Sequence, residues 1–323
     1  MSTGSEFDLI ARLAPFLATG GDDLVVGHGD DAAVLDLDGR GVCLAVDVLV
    51  EDVHFRRDLS SLADVGWKAV AVNCSDIAAM GGTPSVAVVG LCRPASLPVS
   101  DVEELYAGMA EACQRWGLRL VGGDTVSSQA LALSVTVMGA IDPASAVRRS
   151  GATVGDRVLI VGTLGGAAAG LALFRAGHEA PPQLLAAHRR PVALVEAGTA
   201  LAAAGATALI DVSDGFGADL LHICEASNVG ATVDATRLPS AEGIEAAADL
   251  LSTDPLDYVA GGGDDYALLA AVPADRAEQI AADVGGVLVG TFVEGGPSAS
   301  LILADGTARD LAGMGWDHYR ETS

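Results

Sequence analysis

Lysine is nearly absent from this sequence of 323 residues. The 18 basic residues comprise 17 arginines and one lysine, Lys68, which follows a tryptophan. A Walker A loop requires a Gly-Lys pair, so this type of phosphate-binding site is excluded. The strand lysine that accompanies the glycine-rich loop of protein kinases is not recognisable either.

Positive charge is scarce as a whole, and the formal net charge at pH 7 is −25. Nucleic acids and anionic membrane surfaces require a basic protein face, so neither is expected as a partner. An acidic protein can still bind phosphate groups if metal ions lie between the two sets of negative charge. The composition therefore directs attention to metal-assisted phosphate chemistry.

Paired cysteines and long apolar runs are missing too. The five cysteines show no C-x-x-C spacing, which favours reduced thiols over a disulfide framework or a zinc site. No basic stretch followed by an apolar core marks a signal peptide, and the run AGTALAAAGATALI is too short to cross a bilayer. We therefore expect a cytoplasmic protein.

Strand and helix patterns alternate along the chain and predict two α/β or α+β domains in tandem. The first is expected over 1–142 and the second over 143–323, with a linker near 142–156. No short-period repeat is present, so solenoids and propellers are not expected.

Three segments of the first domain carry definite local predictions. The apolar segment 41–50 is predicted to be a buried strand. The segment 60–82 is predicted to be a helix that begins with a serine cap. A second helix is predicted over 100–117, with a capping box formed by Ser100 and Glu103.

Aspartates recur beside glycines, at the ends of apolar strands or at helix boundaries. They are Asp30, Asp31, Asp47, Asp76, Asp124, Asp211, Asp214, Asp264 and Asp265. For a single Asp-Gly pair, a capped turn is the more common explanation. Asp47 and Asp76, however, lie within runs that should be buried, where a carboxylate is costly unless it is paired or bound to metal. The basic residues are too few to pair with 43 acidic ones, so we predict Mg²⁺ as their partner.

A series of motifs follows these aspartates through nearly the whole chain. The motifs are GHGDDAAV, DVLVEDVHF, WKAVAVNCSDIAAMGGTP, GGDT, RRSGATVGD, DVSDGFGADLLHICEAS, GGGDDYALL and the terminal GWDHY. In order and spacing they resemble the thiamine-monophosphate kinases, which belong to the superfamily of aminoimidazole ribonucleotide synthetase and selenophosphate synthetase. The resemblance implies the two-domain aminoimidazole ribonucleotide synthetase-like fold, α/β followed by α+β, with an N-terminal dimerising sheet.

The resemblance also implies an activity and its partners. Enzymes of this family transfer the γ-phosphoryl group of ATP directly onto the phosphate of thiamine monophosphate, giving thiamine pyrophosphate and ADP. The acceptor oxygen is already ionised, so no catalytic general base is expected, and positioning with charge neutralisation by Mg²⁺ should suffice. ATP as co-substrate, Mg²⁺ as cofactor and a homodimer are the expected partners.

Individual roles follow from the positions that match the family motifs. The metal ligands implied are Asp30, Asp47, Asp76, Asp124, Asp211, Asp214 and the carbonyl oxygen of Val46. The nucleotide would contact Tyr106, Gly123, Asp124, Arg149 and Ser213. Thiamine monophosphate would contact His54, Asp264 and Trp316. Without the resemblance, each of four residues also has an ordinary structural explanation. Tyr106 could lie on a helix face, Arg149 in a linker, His54 at a strand end and Trp316 in a tail packed on the core.

The chain departs from the family pattern at two of these positions, and alternatives stay open. Asp264 stands where the family usually has glutamate, and Val46 where threonine is common. A related ATP-dependent enzyme resembling aminoimidazole ribonucleotide synthetase is one alternative, and a non-catalytic ATP- or metal-binding regulator is another. Selenophosphate synthetase would need a reactive cysteine in an early glycine-rich loop, but the first cysteine here is Cys43 in a predicted strand.

Overall fold

Two β-sheets, each covered by helices, form the framework of the computed structural model, which describes residues 6–17 and 21–316. The first half contains α1 (Glu6–Leu13), β1 (Leu24–Val26), β2 (Ala33–Asp36), β3 (Gly41–Val50), α2 (Leu62–Ala79), β4 (Thr83–Pro94), α3 (Val99–Trp116), β5 (Arg119–Ser128) and β6 (Ala132–Ala140). The second half contains β7 (Arg157–Val161), α4 (Gly166–Arg175), α5 (Pro182–Arg189), α6 (Val195–Ala204), β8 (Ala208–Asp211), α7 (Phe216–Ser227), β9 (Gly230–Asp234), α8 (Ile244–Leu251), α9 (Pro255–Gly261), β10 (Leu268–Val272), α10 (Ala277–Val284), β11 (Val287–Val293), β12 (Ser298–Ile302) and β13 (Ala308–Asp310). The predicted fold class, two domains that mix helices and sheets, is confirmed.

The first sheet has six strands in the order β1-β2-β3-β6-β4-β5, and only β4 and β5 run parallel. Helices α2 and α3 pack on one face of it. Strand β3 coincides with the predicted segment, but it is buried on that face only, through Cys43, Ala45 and Leu49. Val46 and Val48 on its other face are 59% and 49% exposed, so the prediction of a fully buried strand was wrong.

Helix α2 is buried along nearly its whole length and touches both domains. Ser61 and Asp64 form a capping box at its start, which confirms the predicted serine cap. A Cβ atom on Gly66 would lie 2.0 Å from the carbonyl oxygen of Leu105 in α3, and one on Gly198 in α6 would lie 2.1 Å from that of Ala78. The backbones therefore meet directly, since glycine alone leaves that space free.

Helix α3 begins without the predicted capping box. It starts at Val99 after Pro98, and no side chain caps it. Ser100 lies within the first turn and donates a 3.3 Å hydrogen bond to Asp101 instead of capping the helix. The pre-set φ of Pro98 allows the helix to start before the serine. The end at Gly117, in the left-handed conformation with φ 71°, agrees with the prediction.

The second sheet has seven strands in the order β13-β12-β9-β11-β7-β10-β8. Strand β8 lies at its edge beside α2, which brings the end of β8 close to the end of α2. The first sheet ends at Ala140 and the second begins at Arg157, and the division proposed after residue 142 falls between them. In the described part of the chain, no helix is both long and apolar enough to pass through a membrane.

Candidate active site

A cavity of about 590 Å³ opens at the boundary between the two domains. Its walls come from β3, the loop after β3 and α2 in the first domain, and from α4, α5 and the loops around β8 and β10 in the second. The predicted site residues that line it are Asp47, His54, Asp76, Asp211, Ser213, Asp214, Asp264 and Trp316. A cleft between domains with converging polar groups is the usual form of a ligand site.

Three aspartates from distant parts of the chain meet at one end of this cavity. Asp31 precedes β2, Asp76 lies in the last turn of α2 and Asp211 ends β8, and carboxylate oxygens of all three lie within 4.8 Å of one another. Oδ2 of Asp211 accepts a 2.5 Å hydrogen bond from Ser75. Oδ2 of Asp31 is buried with no hydrogen-bond partner among the described residues. Asp47 extends this group, because its carboxyl contacts that of Asp76. We call these four residues the acidic cluster.

Burial raises the pKa of every carboxyl group in the acidic cluster. It raises the pKa of Asp47 to about 6 and that of Asp211 to about 8. Burial also raises the pKa of Asp31, and burial with the repulsion of Asp47 raises that of Asp76. Four negative charges are unfavourable in such a place unless cations enter with them. An all-carboxylate donor set with an unpartnered oxygen fits Mg²⁺.

The structure places Asp31, rather than Asp30, in the acidic cluster. Asp30 lies beside it, and its Oδ1 accepts a 2.6 Å hydrogen bond from the backbone N–H of Arg149, the residue that also binds Asp31. The metal-ligand role of Asp30 stays a prediction, and Asp31 is an additional candidate that the sequence analysis did not assign to a metal.

Arg149 lies against the acidic cluster, as a phosphate-binding residue should. Its Nη2 donates a 2.6 Å hydrogen bond to Asp31. Its Nε is buried and has no hydrogen-bond partner in the described part of the chain. The guanidinium group thus neutralises one aspartate of the cluster and keeps one donor, Nε, that no described residue uses.

The other end of the cavity is built around Asp264. Lys68 Nζ lies 2.6 Å from Oδ2 of Asp264, His188 Nδ1 lies 3.2 Å from the same oxygen, and the hydroxyl of Tyr266 donates a 2.9 Å hydrogen bond to Oδ1. Burial alone would raise the pKa of Asp264, but Lys68 and His188 hold it well below its usual value. Sequence reasoning missed these three neighbours, although a single lysine in an apolar helix was a usable signal for Lys68.

Four further predicted residues line the cavity. His54 accepts a 3.0 Å hydrogen bond at Nδ1 from the backbone of Val50, which leaves its Nε2 side as the donor. Ser213 and Asp214 follow β8. Trp316 is held by a 2.9 Å hydrogen bond from its backbone N–H to the carbonyl oxygen of Asp214, and its side chain is 45% exposed. The rest of the terminal motif, residues 317–319, lies outside the described residues.

The structure does not bring Tyr106, Gly123, Asp124 and Val46 to the cavity of their own chain. Asp124 lies on the edge strand β5, in one row with Gly90, Ser134 and Val48 across the sheet. Three strand spacings separate it from β3, about 14 Å. Tyr106 packs half-buried on the core of the first domain, and the side chain of Val46 points away from α2.

A second group of possible ligands was not predicted as a set. Asp214, Asp219 and His222 have ligand atoms within 4.8 Å of one another. Burial raises the pKa of Asp219 and, with the positive charge of Arg149, lowers that of His222 to about 4. The motif DVSDGFGADLLH supplies all three residues from one loop and the helix α7 that follows it.

Comparisons with known proteins identify the family of this fold. Residues 29–141 match the N-terminal domain of the AIR synthase related proteins, and residues 153–299 match their C-terminal domain. A thiamine-monophosphate kinase from Mycobacterium tuberculosis is 45% identical over 249 residues, which cover 76% of this chain and 74% of that protein. One from Bacillus subtilis is 34% identical over 330 residues, covering 98% and 99%.

A solved structure of AaThiL complexed with AMPPCP and TMP superposes with a TM-score of 0.86 at 32% identity and covers 97% of both chains. Hydrogenase maturation protein HypE, at 24% identity and a TM-score of 0.73, shares the fold. Because the similarity to the kinases extends over nearly the whole chain and includes the motifs that build the cavity, the chain belongs to the thiamine-monophosphate kinase family of AIR synthase related proteins.

Proposed function

We propose that this protein uses Mg²⁺ and transfers the γ-phosphoryl group of ATP to the phosphate of thiamine monophosphate, yielding thiamine pyrophosphate and ADP. The observation that carries the proposal is the acidic cluster at the wall of a cavity between two domains. The structural relative bound to AMPPCP and TMP supports the same pair of substrates. The unpaired cysteines agree with a cytoplasmic enzyme.

The residues of the cavity fit this reaction without a general base. Mg²⁺ held by Asp31, Asp47, Asp76 and Asp211 would neutralise the charge of the phosphates. Arg149, whose guanidinium group lies against Asp31, would bind a phosphate oxygen. The acceptor phosphate brings its own ionised oxygen, so the residues have only to align it with the donor.

The organic part of the acceptor would occupy the other end of the cavity. The exposed indole of Trp316 offers an aromatic face to a cationic ring, a contact that is worth roughly 1–2 kcal/mol. His54 lines the cavity, with its Nδ1 bound to the backbone of Val50, and would contact the acceptor phosphate through the Nε2 side of its ring.

A direct assay tests this function. The purified protein is mixed with ATP, Mg²⁺ and thiamine monophosphate, and thiamine pyrophosphate is followed by chromatography. We expect product only when all three are present, and none when free thiamine replaces its monophosphate, because a hydroxyl acceptor would need a general base. Efficient phosphorylation of free thiamine, or no product from the monophosphate, would contradict the proposal.

We also propose that the enzyme works as a homodimer whose sheets pack face to face. The outer face of the first sheet exposes Val46, Val48, Val88 and Val121, each by more than 40%. Asp124 shares a row with Val48 on this face. An apolar face of this kind is typical of a subunit interface.

The dimer would explain the distance of Asp124 from its own cavity. We propose that Tyr106, Gly123 and Asp124 contribute to the site of the partner subunit.

Mixing two inactive variants, Asp76→Asn and Asp124→Asn, tests this contribution. A hybrid dimer would have one intact site of two, and about half of the dimers would be hybrids after random exchange, so about a quarter of wild-type activity should return. The matched control mixes Asp76→Asn with Asp211→Asn, which damages every site. Recovery in neither mixture would contradict the contribution in trans.

A further inference from the structure

Lys68 is the only lysine of the chain, and it lies in the middle of the buried helix α2. Its side chain is 4% exposed, and its neighbours on the helix, Val65, Ala69 and Val72, are buried apolar residues. A buried ammonium group is unfavourable by several kcal/mol unless a partner compensates it. The partner is Asp264, 2.6 Å away on a loop of the other domain.

The loop that carries Asp264 has an unusual backbone. Asp264 and Tyr266 have φ values of 71° and 52°, in the left-handed region that costs a non-glycine residue about 1–2 kcal/mol. Two backbone hydrogen bonds of 2.8 Å each hold the loop, from Asp264 N–H to Ser213 and from Tyr266 N–H to Val212. A strained conformation persists only where its surroundings enforce it, and such residues cluster at functional sites.

The contacts of Asp264 leave a defined opening for a ligand. Oδ2 lies against Lys68 and His188, and Oδ1 accepts one hydrogen bond from Tyr266. A carboxylate offers about four acceptor positions, so Oδ1 keeps one for a donor in the cavity. Lys68 itself is almost fully enclosed and directed at Asp264, so it is badly placed to hold a phosphate.

The spacing along α2 relates this end of the cavity to the acidic cluster. Lys68 and Asp76 are eight residues apart on one helix, which separates them by about 12 Å along its axis. One rigid element therefore sets the distance between the metal-binding end and the carboxylate end.

From these observations we propose that Lys68 is a positioning residue for the acceptor. Its ion pair across the domain boundary holds Asp264 in the one orientation that presents Oδ1 to an N–H donor on the heteroaromatic part of the acceptor. The proposal rests on the proposed function, and it adds a residue that acts on acceptor binding through Asp264 and not on the transferred phosphate.

The test compares Lys68→Met with a matched control, Arg190→Met. Arg190 also bridges the domains, through Asp64 and Glu111 at 2.5 and 2.7 Å, but it lies outside the cavity. We expect Lys68→Met to raise the KM for thiamine monophosphate about tenfold and to leave the KM for ATP within about twofold. Arg190→Met should leave both constants near those of the wild type.

A double-mutant cycle and a milder variant make the result decisive. In an Asp264→Asn background, Lys68→Met should change the KM for thiamine monophosphate by less than about twofold, because the two residues act as a unit. If Lys68→Met does not fold, Lys68→Arg replaces it in the test. This variant keeps the positive charge and should retain most of the affinity for thiamine monophosphate. Equal changes for both substrates in Lys68→Met, or an unchanged KM for the monophosphate, would overturn the positioning role. Inactive wild-type enzyme would instead reject the proposed function.

Discussion

Asp76 and Asp264 line the same cavity, yet the protein treats their charges in opposite ways. Asp264 has Lys68 and His188 beside it, and its pKa is held low. Asp76 has only other carboxylates and a more distant arginine, and its pKa is raised by burial and by Asp47. One end of the cavity is thus neutralised within the folded chain, whereas the other, in our proposal, is completed by Mg²⁺ from solution.

This difference suggests how experiments can distinguish a carboxylate that stabilises the fold from one that binds metal. A carboxylate that the chain neutralises by itself contributes to folding, and its removal should weaken the protein. A carboxylate left without a partner opposes folding until metal binds, and its removal should damage activity first.

The largest effect should come from Asp76→Asn. Loss of a ligand that neutralises charge in the transition state should lower kcat by roughly a hundredfold or more, about 3 kcal/mol. The variant should fold normally, and its metal-free form should unfold at a temperature no lower than the wild type. Turnover near that of the wild type at saturating Mg²⁺ would contradict the role of Asp76 as a metal ligand.

Asp264→Asn should show the opposite balance in stability. It leaves the buried ammonium of Lys68 without its counter-ion, and we expect a loss of about 2 kcal/mol in the free energy of unfolding, allowing for the partial exposure of Asp264. Denaturant unfolding of both variants in the presence of EDTA measures this contrast. Equal destabilisation of the two variants would contradict the view that Asp264 stabilises the fold and Asp76 does not.

Metal binding should stabilise the protein more at higher pH. The folded-state pKa values of Asp47 and Asp211, about 6 and about 8, lie above their unfolded value near 4. The metal-free protein therefore loses stability as pH rises through this window, because the folded state holds more protons on these groups than the unfolded state does. Mg²⁺ binds the ionised groups, so the rise in Tm that it causes should be larger at about pH 8 than at about pH 5.5. Thermal unfolding with Mg²⁺ or EDTA at both values measures it, and a larger shift at the lower value would contradict the cluster as the metal site.

The smallest expected effect is that of Tyr266→Phe. It removes the hydrogen bond that the uncharged tyrosine hydroxyl donates to the Asp264 carboxylate and leaves Lys68 in place. The KM for thiamine monophosphate should rise by only about threefold, less than the roughly 1.5–3 kcal/mol of a hydrogen bond to a charged group would give, because the ion pair with Lys68 still holds Asp264. A rise as large as that of Lys68→Met would show that the hydroxyl, and not the ammonium, orients Asp264.

The two ends of the cavity also differ in how well the sequence predicted them. Asp47 and Asp76 stood out because acids in apolar runs need a special reason, and both lie in the acidic cluster. The pair formed by Lys68 and Asp264 was missed, because a contact across 196 positions leaves no local pattern. The order of strands likewise decided that Asp124 lies far from Asp47, and no spacing in the sequence predicts that order.

The local errors have physical causes of their own. The strand 41–50 was located correctly, but the valines of its exposed face give the same apolar pattern as a strand that is buried on both faces. The helix predicted from Ser100 began earlier, since Pro98 already provides a suitable φ.

The close contacts of α2 have a consequence for motion. Where the backbones of α2, α3 and α6 touch through Gly66 and Gly198, the helices have no layer of side chains on which to slide. Shear between packed helices, a common way for two domains to close, is therefore unfavourable here. Lys68 and Asp76, which lie at the two ends of the cavity, are both on α2, so the distance between these ends is fixed by one helix. We therefore expect selectivity for the length of the acceptor to come from this fixed distance, without closure of the two domains.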